Sequence, residues 1–152
     1  MLFIFLFNFW AGIETGLVQP VFGLDINHQG GLVYRIFCGR DFNISSINLG
    51  FNGSYYAGKN AGYSFMTSGF RIEMFKFRWR YSPYFGFGID YIERELRGNK
   101  EWGLGFAYSL GIKVNFHFDQ VNIYPALFYA GLTDFKTAAG TLGLKLGIGY
   151  EF

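Results

Sequence analysis

An all-β chain of eight antiparallel strands is what this sequence predicts, on three observations. Apolar residues alternate one by one with small or polar ones over long runs. Turn-forming residues recur between those runs. No segment shows a helical period or the ~18 unbroken apolar residues of a membrane-spanning helix. Of the 152 residues, 51% are hydrophobic, 22% aromatic and 16% charged, and 22 are Gly. That length suits a single domain, 1–152, and the hydrophobicity excludes a disordered linker. A net charge of +2 without a Lys/Arg stripe excludes a nucleic-acid binder. One Cys excludes an intramolecular disulfide framework and a Cys-based zinc site.

The segment Glu101 to Phe118 carries the fold class. Its even positions run Trp102, Leu104, Phe106, Tyr108, Leu110, Ile112, Val114, Phe116 and Phe118, and its odd positions include Gly103, Gly105, Ala107, Ser109, Gly111 and Lys113. In chain order, the predicted strands are 9–19, 31–42, 44–56, 64–75, 83–94, 101–118, 121–133 and 140–152. The first, Trp10 to Gln19, and the second, where Leu32, Tyr34, Ile36 and Cys38 share a face, are less regular. In the third, Ile47, Leu49, Phe51 and Tyr55 oppose Ser46, Asn48, Gly50 and Asn52. In the fourth, Phe70, Ile72 and Met74 oppose Gly69, Arg71 and Glu73; in the fifth, Phe85, Phe87, Ile89 and Tyr91 oppose Tyr84, Gly86, Gly88 and Asp90. The seventh contains Pro125, which cannot donate to a ladder. In the eighth, Leu142, Leu144, Leu146, Ile148, Tyr150 and Phe152 oppose Thr141, Gly143, Lys145, Gly147, Gly149 and Glu151. Long and short connections alternate, as in a meander of hairpins, and no strand–helix alternation supports a parallel sheet. The apolar run before Glu14 is too short to span a membrane. Residues 1–8 read either as a signal-peptide remnant without its basic start or as the lead-in to the first strand.

Closing eight such strands up-and-down into a barrel leaves the choice of face. The smaller face is mostly Gly, Ala, Ser and Asn, which suits a narrow eight-stranded lumen. A water-facing surface would carry far more charge, about 25–35%. The bulky face turned to water would far exceed the ~300–600 Å² patch that a monomer tolerates. The apolar face therefore points to lipid, and the prediction is a transmembrane β-barrel, the only sheet that satisfies every backbone group in hydrocarbon. Trp10, Tyr55, Trp102, Phe116, Phe118 and Tyr150 are expected in the aromatic girdles at its ends. Lys76, Arg78 and Arg80 fall in a turn at headgroup level.

These features resemble the small eight-stranded bacterial outer-membrane β-barrels, the OmpA/OmpX-like group. The most specific element is the C-terminus: Leu144, Leu146, Ile148, Tyr150 and a terminal Phe152 resemble the signal read by the barrel-assembly machinery. The resemblance implies a bacterial outer-membrane location with outer-membrane lipid and lipopolysaccharide as surroundings. An even strand number then puts both termini in the periplasm, with the connections around 25–30, 57–62, 94–100 and 134–139 outside. It implies a monomer, alone or within a larger envelope complex.

The inward parity carries Glu14, Glu73, Asp90, Glu101 and Glu151 against Arg35, Arg71, Arg94, Lys113 and Lys145. Charges in a narrow interior must pair, so a salt-bridged lumen network is expected, with Glu14–Lys145 the strongest single pair because the first and last strands become neighbours. The function read from this is structural or surface-contacting and non-enzymatic. A narrow pore for ions or small solutes, a lipid-modifying enzyme and a soluble carrier are the alternatives. The enzyme reading lacks a nucleophile: His28 sits in a loop and His117 at a strand end, without a Ser or carboxylate nearby in sequence. Gly86-Phe87-Gly88 and Gly147-Ile148-Gly149 are followed by no helix, so they are not phosphate loops, and neither cofactor nor metal is expected.

Overall fold

The computed structural model describes residues 9–42, 45–134 and 137–152. The reading of 1–8 as a signal remnant falls outside the described residues. The strands are β1 (Phe9–Phe22), β2 (His28–Asp41), β3 (Ser46–Gly58), β4 (Tyr63–Phe75), β5 (Tyr81–Leu96), β6 (Asn99–Val114), β7 (Phe116–Phe118), β8 (Val121–Thr133) and β9 (Ala138–Glu151). β1 to β6 pair antiparallel in chain order, β8 pairs with β9, and β1 pairs with β9 from Trp10↔Glu151 to Phe22↔Gly140. The sheet therefore closes. β6 and β7 are two parts of one strand that both pair with β8, which makes an eight-stranded barrel.

The break between β6 and β7 replaces the unbroken strand expected over 101–118. The register does not change across it: Lys113 lies opposite Ala126 and Phe116 opposite Ile123. Opposite the break stands Pro125, which has no N–H to offer. Pairing on the other side carries on past the break: the Asn115 N–H donates to the Arg80 carbonyl at 2.7 Å, one step beyond Tyr81↔Val114.

Both described chain ends lie at one end of the barrel, where the Phe152 N–H donates to the Phe9 carbonyl at 2.8 Å. We call this the terminal end and the other the far end. The far-end connections are shorter than the sequence predicts, because the strands run on through 28–30, 57–58, 94–96, 99–100 and 138–139. The β5–β6 hairpin turns on Arg97 and Gly98 alone, both with positive φ (53° and 81°), as a tight twisted hairpin requires. It also stands above its neighbour: β5–β6 pairing continues to Leu96↔Asn99, whereas β6–β8 pairing ends at Phe106↔Thr133.

Side chains alternate as the period demands. Ile13, Leu17, Ile36, Phe70, Ile89, Leu104, Leu127 and Leu144 point outward with more than half of their surface exposed. The interior differs from the expected lining of small residues. It holds the rings of Trp10, Phe37, Phe75, Tyr84, Tyr124 and Phe128, each at most 7% exposed. Inward glycines make the room: a methyl at Gly147 would clash with the Tyr124 ring, one at Gly111 would meet Tyr84, and one at Gly39 would meet Trp10.

Candidate functional site: a charged plug in the lumen

Trp10 corrects the expected aromatic girdle. It is 1% exposed and points into the barrel, stacked on Phe77 at 4.5 Å between ring centroids and 9° between planes, with Phe75 edge-on at 5.8 Å. Its parity is that of Glu14, four residues on, so both face inward. Tyr55, Trp102, Phe116, Phe118 and Tyr150 do point outward, with exposures of 40% or more.

Phe77 was not legible as a functional position, because it lies in the link between β4 and β5. The link folds into the mouth of the barrel. Phe77 N–H donates to Ser46 Oγ at 2.9 Å, Asn115 Nδ2 donates to the Trp79 carbonyl at 2.7 Å, and His117 Nε2 donates to the Phe77 carbonyl at 3.1 Å. Phe77, 4% exposed, is a stopper at the terminal end.

Against these rings lies the charge cluster. Glu14, from β1, takes Lys145 Nζ of β9 at 2.7 Å, Lys113 Nζ of β6 at 3.2 Å and the Tyr124 hydroxyl at 2.6 Å. Glu73, from β4, takes Lys113 at 2.9 Å, Lys145 at 3.3 Å and the Arg35 guanidinium. Arg35 also lies 3.8 Å from Glu14 and donates to Asn48 Oδ1. The five charged side chains come from five strands and are 0–8% exposed. Tyr84 and Tyr124 add aromatic faces, with Lys113 Nζ 4.9 and 4.8 Å from their centroids and Lys145 Nζ 4.6 Å from Tyr84. Both tyrosines lie on the inward parity of their strands, the signal by which sequence reasoning could have placed them.

The remaining charges separate by position. Arg71 and Asp90 form a neighbouring pair, with Asp90 fully buried. Arg94 and Glu101 pair at 2.5 Å with side chains 33% and 58% exposed. Glu151 is not in the central cluster; it sits 3.9 Å from the exposed Arg78, because β9 ends there and the lumen opens. His28, 2% exposed, packs edge-on against Phe65, and neither ring nitrogen has a hydrogen-bond partner among the described residues. Among those residues no group of three or more His, Cys, Asp or Glu is placed to hold a metal ion.

No protein-family model matches the sequence, and no curated relative matches it. Solved structures do match the fold. Neisserial surface protein A is similar at a TM-score of 0.62 and 15% identity, covering 95% of this chain and 97% of that one. The attachment invasion locus protein Ail of Yersinia pestis, in complex with the heparin analogue sucrose octasulfate, gives 0.61 at 16% identity over 95% and 99%. The N-terminal β-barrel domain of Pseudomonas aeruginosa OprF gives 0.58 at 11% over 94% and 97%. The chain has the fold of the small eight-stranded outer-membrane β-barrels.

Proposed function

We propose that this chain is a non-enzymatic integral barrel of a bacterial outer membrane, with a closed lumen and a structural or surface-contacting role. One observation carries the reading: an apolar skin wraps every strand while a five-member ionic cluster and the Phe77 stopper fill the interior. The outer-membrane location is supported by the closed antiparallel fold, the form in which sheets span membranes. Under this reading both termini are periplasmic and the far end faces outward. There an open cup of about 740 Å³, lined by Leu24, Phe65, Ile92, Arg94, Trp102 and Leu132, stands beside the raised β5–β6 hairpin. It offers apolar walls and a rim of mixed charge, Arg94 and Lys100 with Glu101 and Asp134, to lipopolysaccharide or a surface partner. The alternating Leu144, Leu146, Ile148, Tyr150 and Phe152 of β9 serve the assembly machinery, and the barrel works as a monomer.

The test is electrophoretic, then electrical. Folded in detergent and run in SDS, the barrel migrates differently before and after boiling, and in planar bilayers it stays silent. No mobility shift, with solubility in plain buffer, would overturn the membrane reading in favour of a soluble carrier. Steady unitary conductance that changes in Lys145→Ala would overturn the closed lumen in favour of a narrow pore.

A further inference from the structure

The inward face as a whole carries five acidic and five basic groups, but its buried part does not balance. Glu101 and Arg94 pair at the far-end rim, and Glu151 pairs with exposed Arg78 at the terminal end. What remains inside is Arg35, Arg71, Lys113 and Lys145 against Glu14, Glu73 and Asp90. Asp90 is taken up by Arg71, so the surplus positive charge belongs to the central cluster of three cations and two carboxylates. A surplus charge in a poorly hydrated interior is strongly unfavourable unless a counter-charge joins it.

Beside that cluster is a cavity of about 60 Å³, whose lining includes three cations, Arg35, Arg71 and Lys145, against the two carboxylates Glu14 and Glu73, together with Asn52, Tyr84 and Ser109. This exceeds the space that a single small ion or water needs. Two hydroxyls on its wall, Tyr84 OH and Ser109 Oγ, have no hydrogen-bond partner among the described residues, and neither has Arg35 Nε. Tyr84 and Ser109 are each 4% exposed. A hydroxyl can donate to an anion or exchange hydrogen bonds with water. The surplus cationic charge of the neighbouring cluster favours the anion.

We infer that the lumen holds a binding site for a small monovalent inorganic anion of the halide class, chloride under ordinary conditions. The anion completes the charge of the plug: Lys145 and Arg35 supply the field, and the Tyr84 and Ser109 hydroxyls supply the directed donors. The site is independent of whatever the outer cup contacts.

The experiment uses the full chain refolded in detergent. Crystals grown in sodium bromide are expected to show an anomalous peak in the cavity, in contact with the Tyr84 and Ser109 hydroxyls. At constant ionic strength, replacing gluconate with chloride is expected to raise the unfolding midpoint with saturation. Tyr84→Phe should weaken the apparent chloride affinity at least tenfold, and Lys145→Gln, which balances the cluster, should abolish the chloride dependence. Heat-modifiability of each variant reports that the barrel has formed, so loss of folding is not mistaken for loss of the site. A bromide-free cavity together with an unfolding midpoint indifferent to chloride would overturn the inference and assign the cavity to water. A chloride dependence that persists unchanged in both folded variants would overturn it too, by placing the ion elsewhere.

Discussion

Glu14 and Glu73 each face the same three cations. Removing either carboxylate leaves three buried cations on one partner, whereas removing Lys145 leaves two on two. Glu73→Gln is therefore expected to cost about 3–5 kcal/mol, the range for an uncompensated buried charge, and Lys145→Gln clearly less. Urea titration of the detergent-folded barrel, followed by circular dichroism, measures both; equal losses would contradict the charge asymmetry. Trp10 offers a second test at this scale. Being interior, unlike the exposed Trp79 and Trp102, it should resist quenching by brominated lipids in a variant that keeps it as the only tryptophan. The corresponding Trp102-only variant should be quenched strongly. The position of Trp10 was legible in principle, since Glu14 fixes which parity of β1 faces inward. Phe9, Trp10, Ala11 and Ile13 mix both parities with apolar residues, so a tryptophan at this strand end reads equally as a girdle residue or an interior one.

At the scale of the strand, small inward residues act as sockets for inward rings. Gly147→Ala would drive a methyl into the Tyr124 ring that holds Glu14, and overpacking of this kind costs about 1–3 kcal/mol. A methyl at Gly103 would meet nothing within 4 Å, so Gly103→Ala should leave stability within experimental error, and unfolding midpoints of the two variants make the comparison. Alternation made the strands and most of their faces readable from residues such as those of Glu101 to Phe118. It could not show that the lumen is filled by rings, because a glycine in the pattern reads the same whether its space is empty or occupied by a neighbour's side chain. Pro125 was readable as an awkward member of its strand. That it stands opposite the break between β6 and β7 required the β6–β8 register, which runs from Lys113↔Ala126 to Phe116↔Ile123.

For the whole molecule, the orientation in the membrane follows from where the chain ends meet and from which connections are reached from outside. Loop length is no guide, since the described links at both ends are short and the stoppering link 76–80 is at the terminal end. The plug itself was only half legible: its charges follow from parity, whereas Phe77, though on the parity of Glu73 and Phe75, lies past the end of β4, where alternation no longer fixes a face. Orientation is best read chemically. Cys38 is the single cysteine and faces outward from β2, so Cys38→Ser gives a clean background. On it, a cysteine at Asn60 or Thr137 marks the far end, and one at Asp119 or Arg78 marks the terminal end. In intact cells a membrane-impermeant maleimide is expected to label the first two and to reach the others only after the outer membrane is permeabilised. The reverse pattern would place the termini outside and turn the open cup, with Arg94 and Trp102, toward the periplasm. The cup would then have to be read as a docking face for a periplasmic partner and not for one at the cell surface.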